Sequence, residues 1–323
     1  MGNFMENFEN LTPNVVFRAV EEATGKKLTG FMATFTSYIN RVYELETAVG
    51  DRLIAKFYRP GRWGYDALCD EHDFLFDCRE AELPVVAPEL LLNGSSLGEF
   101  NGLYFTVFPK MAGRQFDLTS PDQWEKVGRL LGRLHAVGEK EVAPDRVELH
   151  PEASLADDIE YLLDYIPRPF IKSFQTITDE LMAVALPLFE SVNGIRIHGD
   201  AHLSNFIDRL DGKVYMIDFD DMMMGPAVQD FWLILPDYAS RSGYELERLI
   251  EGYEYFRPFD RREIALIEPL RAMRMIYFTA WCASQKDDFK FQSNFPNWGT
   301  DLFWRKELKE LKDQMNIICT GLG

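Results

Sequence analysis

Three oxygen-bearing side chains stand at an informative spacing. Asp200 and Asn205 lie in the run Ile197-His198-Gly199-Asp200-Ala201-His202-Leu203-Ser204-Asn205, and Asp218 closes the apolar run Tyr215-Met216-Ile217. A carboxylate can accept a hydrogen bond from an attacking hydroxyl and take its proton late, which makes Asp200 the candidate base. An amide oxygen and a second carboxylate are hard ligands, and Mg²⁺ takes a few of these while waters and phosphates complete its octahedron. Asn205 and Asp218 are therefore the candidate metal ligands, for one Mg²⁺ or two, with Asp218 counted as catalytic beside Asp200. The chemistry that suits this set is phosphoryl transfer from ATP, in which a protein supplies positioning and electrostatics. The plain alternative is an Asx turn and a strand-end Asp.

Phosphates need a cation, and cations are scarce here: 34 Lys and Arg against 52 Asp and Glu leave a formal charge of −18. Lys56 stands out in Leu53-Ile54-Ala55-Lys56-Phe57-Tyr58, a strand pattern in which both alternating faces are mainly apolar. Downstream, Leu68, Leu75 and Cys78 mark the buried face of a helix, and Glu71 falls on that face. Burying either charge alone is costly, so the economical solution is a Lys56–Glu71 pair that steers the lysine toward the α- and β-phosphates of a nucleotide. The alternative is a lysine snorkelling from an edge strand and a glutamate on a solvated face.

His198 reads as structural, holding the loop by packing and hydrogen bonding with Phe219 as a packing partner, and Gly199 gives the backbone latitude beside the base. His198-x-Asp200-x-His202 also invites a transition-metal phosphohydrolase reading. The chain has five histidines, and the other three (His72, His135, His150) are scattered, which counts against it. Asp220 and Asp221 read as solvated loop carboxylates. Asp230, opening Phe231-Trp232-Leu233-Ile234, reads as an acceptor for the backbone of the catalytic loop.

The elements that must position these residues fall into two groups. Thr12-Pro13 and Gly25 bracket a helix over 13–24, and strands are expected over 31–38, 41–47 and 53–58. A helix over 63–82 follows, then strands near 88–92 and 103–108. Beyond Met111-Ala112-Gly113 helical patterns dominate, at 121–137, 154–165, 176–191, 244–255, 261–284 and 302–315, with short strands only around 195–218. The expected fold is α+β and two-lobed, like a protein kinase: a small, mostly antiparallel β lobe with one key helix over 1–110, and a larger, mainly helical lobe over 111–323.

At 323 residues and 46% hydrophobic content the chain is an ordinary globular protein. Its acidity argues against nucleic acid and against an anionic membrane surface as partners. Four cysteines without a CxxC pair fit reduced thiols in the cytoplasm. The start Met-Gly-Asn-Phe-Met-Glu has no basic n-region, and Glu6 stands where a myristoylation signal wants Ser or Thr. The longest apolar stretch, Leu181 to Phe189, contains Pro187 and is too short to span a bilayer.

His198-Gly199-Asp200 with Asn205 and Asp218 resembles the aminoglycoside phosphotransferase and choline kinase branch of the kinase-like fold. Longer strings, among them Leu83-Pro84-Val85-Val86-Ala87-Pro88, Gly225-Pro226-Ala227-Val228-Gln229-Asp230 and Ile267-Glu268-Pro269-Leu270-Arg271-Ala272-Met273-Arg274, resemble the bacterial stress response kinase A family over nearly the whole chain. The resemblance implies an ATP- and Mg²⁺-dependent serine/threonine protein kinase, cytosolic and monomeric, acting on a protein acceptor and able to phosphorylate itself. It also implies that Ser37 lines the ATP site and that Phe108 to Lys110 present hinge backbone to adenine. From the residues alone, Ser37 could equally be a turn hydroxyl.

Departures matter too. Thr34 to Asn40 contains no GxGxxG, so a lid over phosphates has to use Thr36 and Ser37. Between Asp218 and Pro226 there is no Ser, Thr or Tyr, which rules out an activation-loop phosphorylation switch there. A segment that short also removes peptide-docking surface, and an acidic cleft suits a cationic acceptor such as an amino sugar, so a small-molecule kinase is the main rival. A nucleotide-binding pseudokinase is the lesser one, because no motif residue is missing.

Overall fold

The computed structural model describes residues 8, 11–35, 37, 39–287 and 289–321. Glu6 and Thr36, invoked above for a lipidation signal and a phosphate lid, lie outside the described residues. The chain forms two compact units, and the first is not a single stretch: it holds the described residues up to Phe116, then Ala143–Arg146 and Leu203–Asp220. A hairpin far along the chain pairs with a strand just past 110, and Met216 bridges to Val85.

In the first unit, helix α1 (Pro13–Thr24) starts where Thr12 Oγ1 accepts from Val15 N–H at 3.4 Å, and it stops at Gly25, whose φ of 69° suits glycine. Strands β1 (Leu28–Phe35), β2 (Arg41–Thr47), β3 (Arg52–Phe57), β4 (Gly98–Phe100) and β5 (Leu103–Pro109) form an antiparallel sheet in the order β1-β2-β3-β5-β4. Val16, Ala19 and Val20 of α1 pack with Leu45, Leu53, Ala55, Phe57, Phe105 and Val107 of the sheet in one core. Between β3 and β4 runs α2 (Tyr65–Glu80), whose buried positions Leu68, Glu71, Leu75 and Cys78 recur at helical spacing. The strand expected near 88–92 does not form. That stretch takes no strand pairing beyond one contact with β5, where Glu89 N–H donates to the Val107 carbonyl at 2.7 Å, and β4 stands later, at 98–100. A second small sheet joins β6 (Arg114–Gln115) to the hairpin β8 (Phe206–Asp208) and β9 (Val214–Met216).

The second unit is helical apart from a two-stranded ribbon of β7 (Ile195–Ile197) and β10 (Met223–Gly225). Its helices are α3 (Pro121–Gly138), α4 (Ala156–Leu163), α5 (Arg168–Phe189), α6 (Gln229–Trp232), α7 (Gly243–Tyr253), α8 (Ile267–Gln285), α9 (Phe289–Asn294) and α10 (Asp301–Thr320). Helices α3 and α7 approach closely because glycines line the contact. A Cβ at Gly128, Gly132 or Gly252 would overlap the backbone of the opposite helix. Among the described residues no helix is long and apolar enough to cross a membrane.

Candidate active site

In the first unit, antiparallel register sets Lys56 of β3 opposite Val42 on one side and Thr106 on the other, and its side chain is buried. Three carboxylates surround its ammonium: Asp220 Oδ1 at 3.0 Å, Asp218 Oδ1 at 3.4 Å and Glu71 Oε1 at 3.6 Å. The expected Lys56–Glu71 pair is present, but Asp220 lies nearer. Asp220 is the correction to the sequence reading, for it is buried and not a solvated loop carboxylate. It also accepts from Asn40 Nδ2 at 3.1 Å and meets Arg62 at 3.5 Å.

Arg146, on the segment 143–146 that belongs to this unit, completes the cluster. It donates to the carbonyls of Asp220 and Ala67, lies 4.0 Å from Glu71 Oε2 and stacks 3.9 Å above the Trp63 ring. Three cations (Lys56, Arg62, Arg146) thus face three carboxylates (Glu71, Asp218, Asp220), which is what makes so dense a buried cluster tolerable.

The ionisation of the cluster follows from that packing. Burial works against the Lys56 charge, yet Asp220, Glu71 and Asp218 outweigh it and hold the ammonium well above its ordinary value. Burial also raises Asp220, but Lys56 and Arg62 prevail and bring its carboxyl down to about 2. For Glu71 burial wins over Lys56, and its carboxyl is raised.

The β8–β9 hairpin brings the backbones of Asn205 and Ile217 together, for Ile217 N–H donates to the Asn205 carbonyl at 3.0 Å, and Asp218 follows Ile217 directly. Asp218 sits at φ 63°, in the left-handed region where a non-glycine residue is uncommon and where strain gathers at functional sites. Its side chain is 57% exposed, so its oxygens are accessible as ligands. The donor set, an amide oxygen and a carboxylate oxygen, is of the hard kind that suits Mg²⁺. Among the described residues no group of three His, Cys, Asp or Glu side chains is arranged to hold a metal, which leaves the His198-Asp200-His202 alternation without the ligand cluster that its metal reading requires.

The remaining predicted residues of this unit have other contacts. Ser37 follows β1, and its Oγ accepts from Asn40 N–H at 3.3 Å, as a turn hydroxyl does. Phe108 pairs with Ile54 in the sheet, Lys110 N–H donates to the Arg52 carbonyl at 3.0 Å, and Lys110 Nζ pairs with Glu44 at 2.7 Å. Phe219 packs edge-on to Phe74 of α2, ring centres 5.9 Å apart.

Asp200 belongs to the second unit, where its loop is fixed through its backbone. Asp230 of α6 accepts from His198 N–H and Gly199 N–H, each at 2.8 Å, as the sequence reading proposed. Gln229 Nε2 donates to the Gly199 carbonyl at 3.1 Å. Gly199 has φ 80°, and a Cβ there would overlap the Asp221 carbonyl, so the position admits no arginine or other side chain. Behind Asp230 stands a relay the sequence did not reveal. His135 Nε2 meets Asp230 Oδ2 at 3.0 Å, Tyr253 Oη meets His135 Nδ1 at 3.1 Å, and Arg257 Nη1 donates to Tyr253 Oη at 2.8 Å. The close approach of α3 and α7 makes that relay possible.

The Asp200 carboxylate has two basic neighbours, Arg274 Nη2 of α8 at 2.8 Å from Oδ1 and His202 Nε2 at 3.2 Å from Oδ2. Burial would raise its carboxyl, but the His202 hydrogen bond and the Arg274 charge bring it down to about 2. Arg274 was invisible to sequence reading as a site residue, because α8 begins 67 positions after Asp200 and no local pattern links them.

A buried sheet lysine paired to a helix glutamate, a hairpin carrying Asn and Asp, and a His-Gly-Asp loop tied to a helix aspartate together define a phosphotransferase of the kinase-like fold. Residues 33–267 match the phosphotransferase enzyme family (APH). Stress response kinase A of Escherichia coli K12 is 37% identical over 321 residues, covering 98% of this chain and 97% of the relative. Serine/threonine protein kinase RdoA of Salmonella typhimurium is 36% identical, covering 96% and 94%. The amicoumacin kinase hAmiN, solved in complex with AMP-PNP, Ca²⁺ and Ami, has the same fold, with a TM-score of 0.75 at 19% identity and 93% of each chain covered. The chain belongs to the phosphotransferase enzyme family and, within it, to the stress response kinase A family. It is a kinase.

Proposed function

We propose that the protein is an ATP- and Mg²⁺-dependent serine/threonine protein kinase. The observation that carries the nucleotide half is Lys56, a buried ammonium whose position is set by Glu71 and Asp220. In this reading Lys56 holds the α- and β-phosphates, Ser37 borders them, and the backbone at Phe108 and Lys110 receives adenine. Asn205 and Asp218 would hold Mg²⁺, which when bound neutralises charge on the phosphates. Asp200 accepts a hydrogen bond from the acceptor hydroxyl. That oxygen attacks the γ-phosphorus, the bond to the β–γ bridging oxygen breaks, ADP leaves, and the hydroxyl proton passes late to Asp200. A carboxyl held near 2 suits an orienting role with late proton acceptance better than early abstraction.

The protein acceptor is supported by the relative named a serine/threonine protein kinase at 36% identity. A small-molecule acceptor is favoured by one specific observation. Between Asp218 and Pro226 the chain makes only a short turn and the strand β10, with no long loop on which a peptide could dock. Incubation with labelled ATP and a generic Ser/Thr protein, beside aminoglycoside and choline controls and with Mg²⁺ supplied or chelated, tests the reading. Label in the protein acceptor that requires Mg²⁺ is expected. Label in a small molecule alone would overturn it.

A further inference from the structure

We propose that Arg274 makes this kinase selective for acceptor hydroxyls with a carboxylate close by, and unfavourable to acceptors bearing an ammonium group. The inference rests on the serine/threonine reading above and narrows it to a Ser or Thr flanked by acidic residues. Arg274 lies 2.8 Å from Asp200 Oδ1, so the charge of the hydroxyl-orienting carboxylate is already balanced. An acceptor that brings its hydroxyl to Asp200 therefore comes beside a guanidinium. An amino group on that acceptor meets repulsion there.

The acidic residues nearest along α8 and the segment before α7 are already engaged. Glu268 pairs with Arg271 at 3.1 Å and accepts from Gln314 Nε2 at 2.8 Å and Ala239 N–H at 2.9 Å. Asp237 accepts from Tyr238 N–H at 2.7 Å and lies 3.6 Å from Arg241. None of these offers an unbalanced charge to a cationic acceptor. The Arg274 side chain, in contrast, is 32% exposed and spends one N–H on Asp200; its other contact is the Tyr277 ring at 5.3 Å. Its Nε and Nη1 groups donate to no described residue. A guanidinium with donors to spare in a planar fork is suited to receive a carboxylate two-pronged.

The test uses three peptides identical except for the residues beside one serine, which are Asp, Ala or Lys, together with an amino alcohol, each with labelled ATP. Wild-type protein is compared with Arg274→Gln and Arg274→Lys. We expect wild type to favour the Asp peptide over the Lys peptide by roughly fivefold in kcat/KM, mostly through KM, the factor that about one partly exposed ion pair supplies. Arg274→Gln should bring the ratio near one, and Arg274→Lys should keep its direction. Equal ratios in wild type and Arg274→Gln, or a wild-type preference for Lys, overturn the inference and leave the protein-kinase reading standing. Label in the amino alcohol alone overturns both, and label in no acceptor overturns the kinase reading on which the inference rests.

Discussion

The two units hold their functional residues by different means. In the first, charge is matched to charge: Lys56, Arg62 and Arg146 meet Glu71, Asp218 and Asp220, contributed by β3, α2 and the segments that follow them at long range. In the second, the loop bearing Asp200 is held by neutral backbone groups gripped by Asp230 and Gln229, while Asp200 itself pairs with the partly exposed Arg274. A buried ion cluster fixes side chains strongly but fails badly when one member is lost. A backbone clamp fixes the path of the chain through its peptide groups, not through the reactive side chain. On the proposed reading, that division suits a nucleotide grip that must be rigid and a base that must accept successive acceptors.

The largest effect expected is on chemistry. Asp200→Ala should lower kcat by ~10²–10⁴ while nucleotide affinity, measured by titration calorimetry, stays as in wild type. Asp218→Ala should weaken Mg²⁺-dependent nucleotide binding as well. Equal nucleotide affinity in the two variants would erase the contrast between a base on one unit and a ligand on the other. Next comes stability. Lys56→Met leaves Glu71 and Asp220 short of a buried partner and should cost ~3–5 kcal/mol in urea unfolding. Arg274→Met breaks a partly exposed pair and should cost no more than ~1 kcal/mol. Similar losses in the two would show that the clusters do not differ in kind.

Acid should separate them further. Asp220 is buried, and its carboxyl titrates at about 2 in the folded protein, against an unfolded value near 4. It therefore contributes stability that is complete above pH ~4 and is lost as the pH falls toward 2, in total ~2–3 kcal/mol by proton linkage. Asp220→Asn should be less stable than wild type at pH 7 and lose less on acidification over that window. A wild-type profile as flat as that of the variant would remove Asp220 from the cluster's energetics.

Much of this was legible beforehand, for physical reasons that can be named. The α1 boundaries followed from Thr12, Pro13 and Gly25, because caps are local chemistry. Lys56 and Glu71 could be paired because each broke an apolar pattern and neither could stay buried alone. Asp220 was misread because aspartates are usually exposed, and only the fold reveals that Arg62 and Asn40 wait for it. The start of α5 at Arg168 was missed although Pro167 and Pro169 signal a first turn; the reading began at Thr176, once the apolar periodicity was strong. Arg274 and His135 carry no local signature at all, since their partners Asp200 and Asp230 lie 74 and 95 positions away.

The smallest effect expected tests how far the backbone clamp extends. Tyr253 accepts from Arg257 and donates to His135 Nδ1, which leaves His135 Nε2–H to donate to Asp230; a neutral imidazole satisfies both ends only in that tautomer. Tyr253→Phe keeps the ring packed against Phe231 and Phe259 but removes the hydroxyl. The loss of two hydrogen bonds, one of them from the Arg257 guanidinium, should lower stability by ~1–3 kcal/mol. If the relay orients Asp230, kcat should also fall by a few-fold while KM for ATP is unchanged, because the residues proposed to bind nucleotide belong to the other unit. A fall in stability with kcat untouched would confine the clamp to Asp230 and Gln229. It would also make the α3–α7 approach a matter of packing, with no bearing on where the base is held.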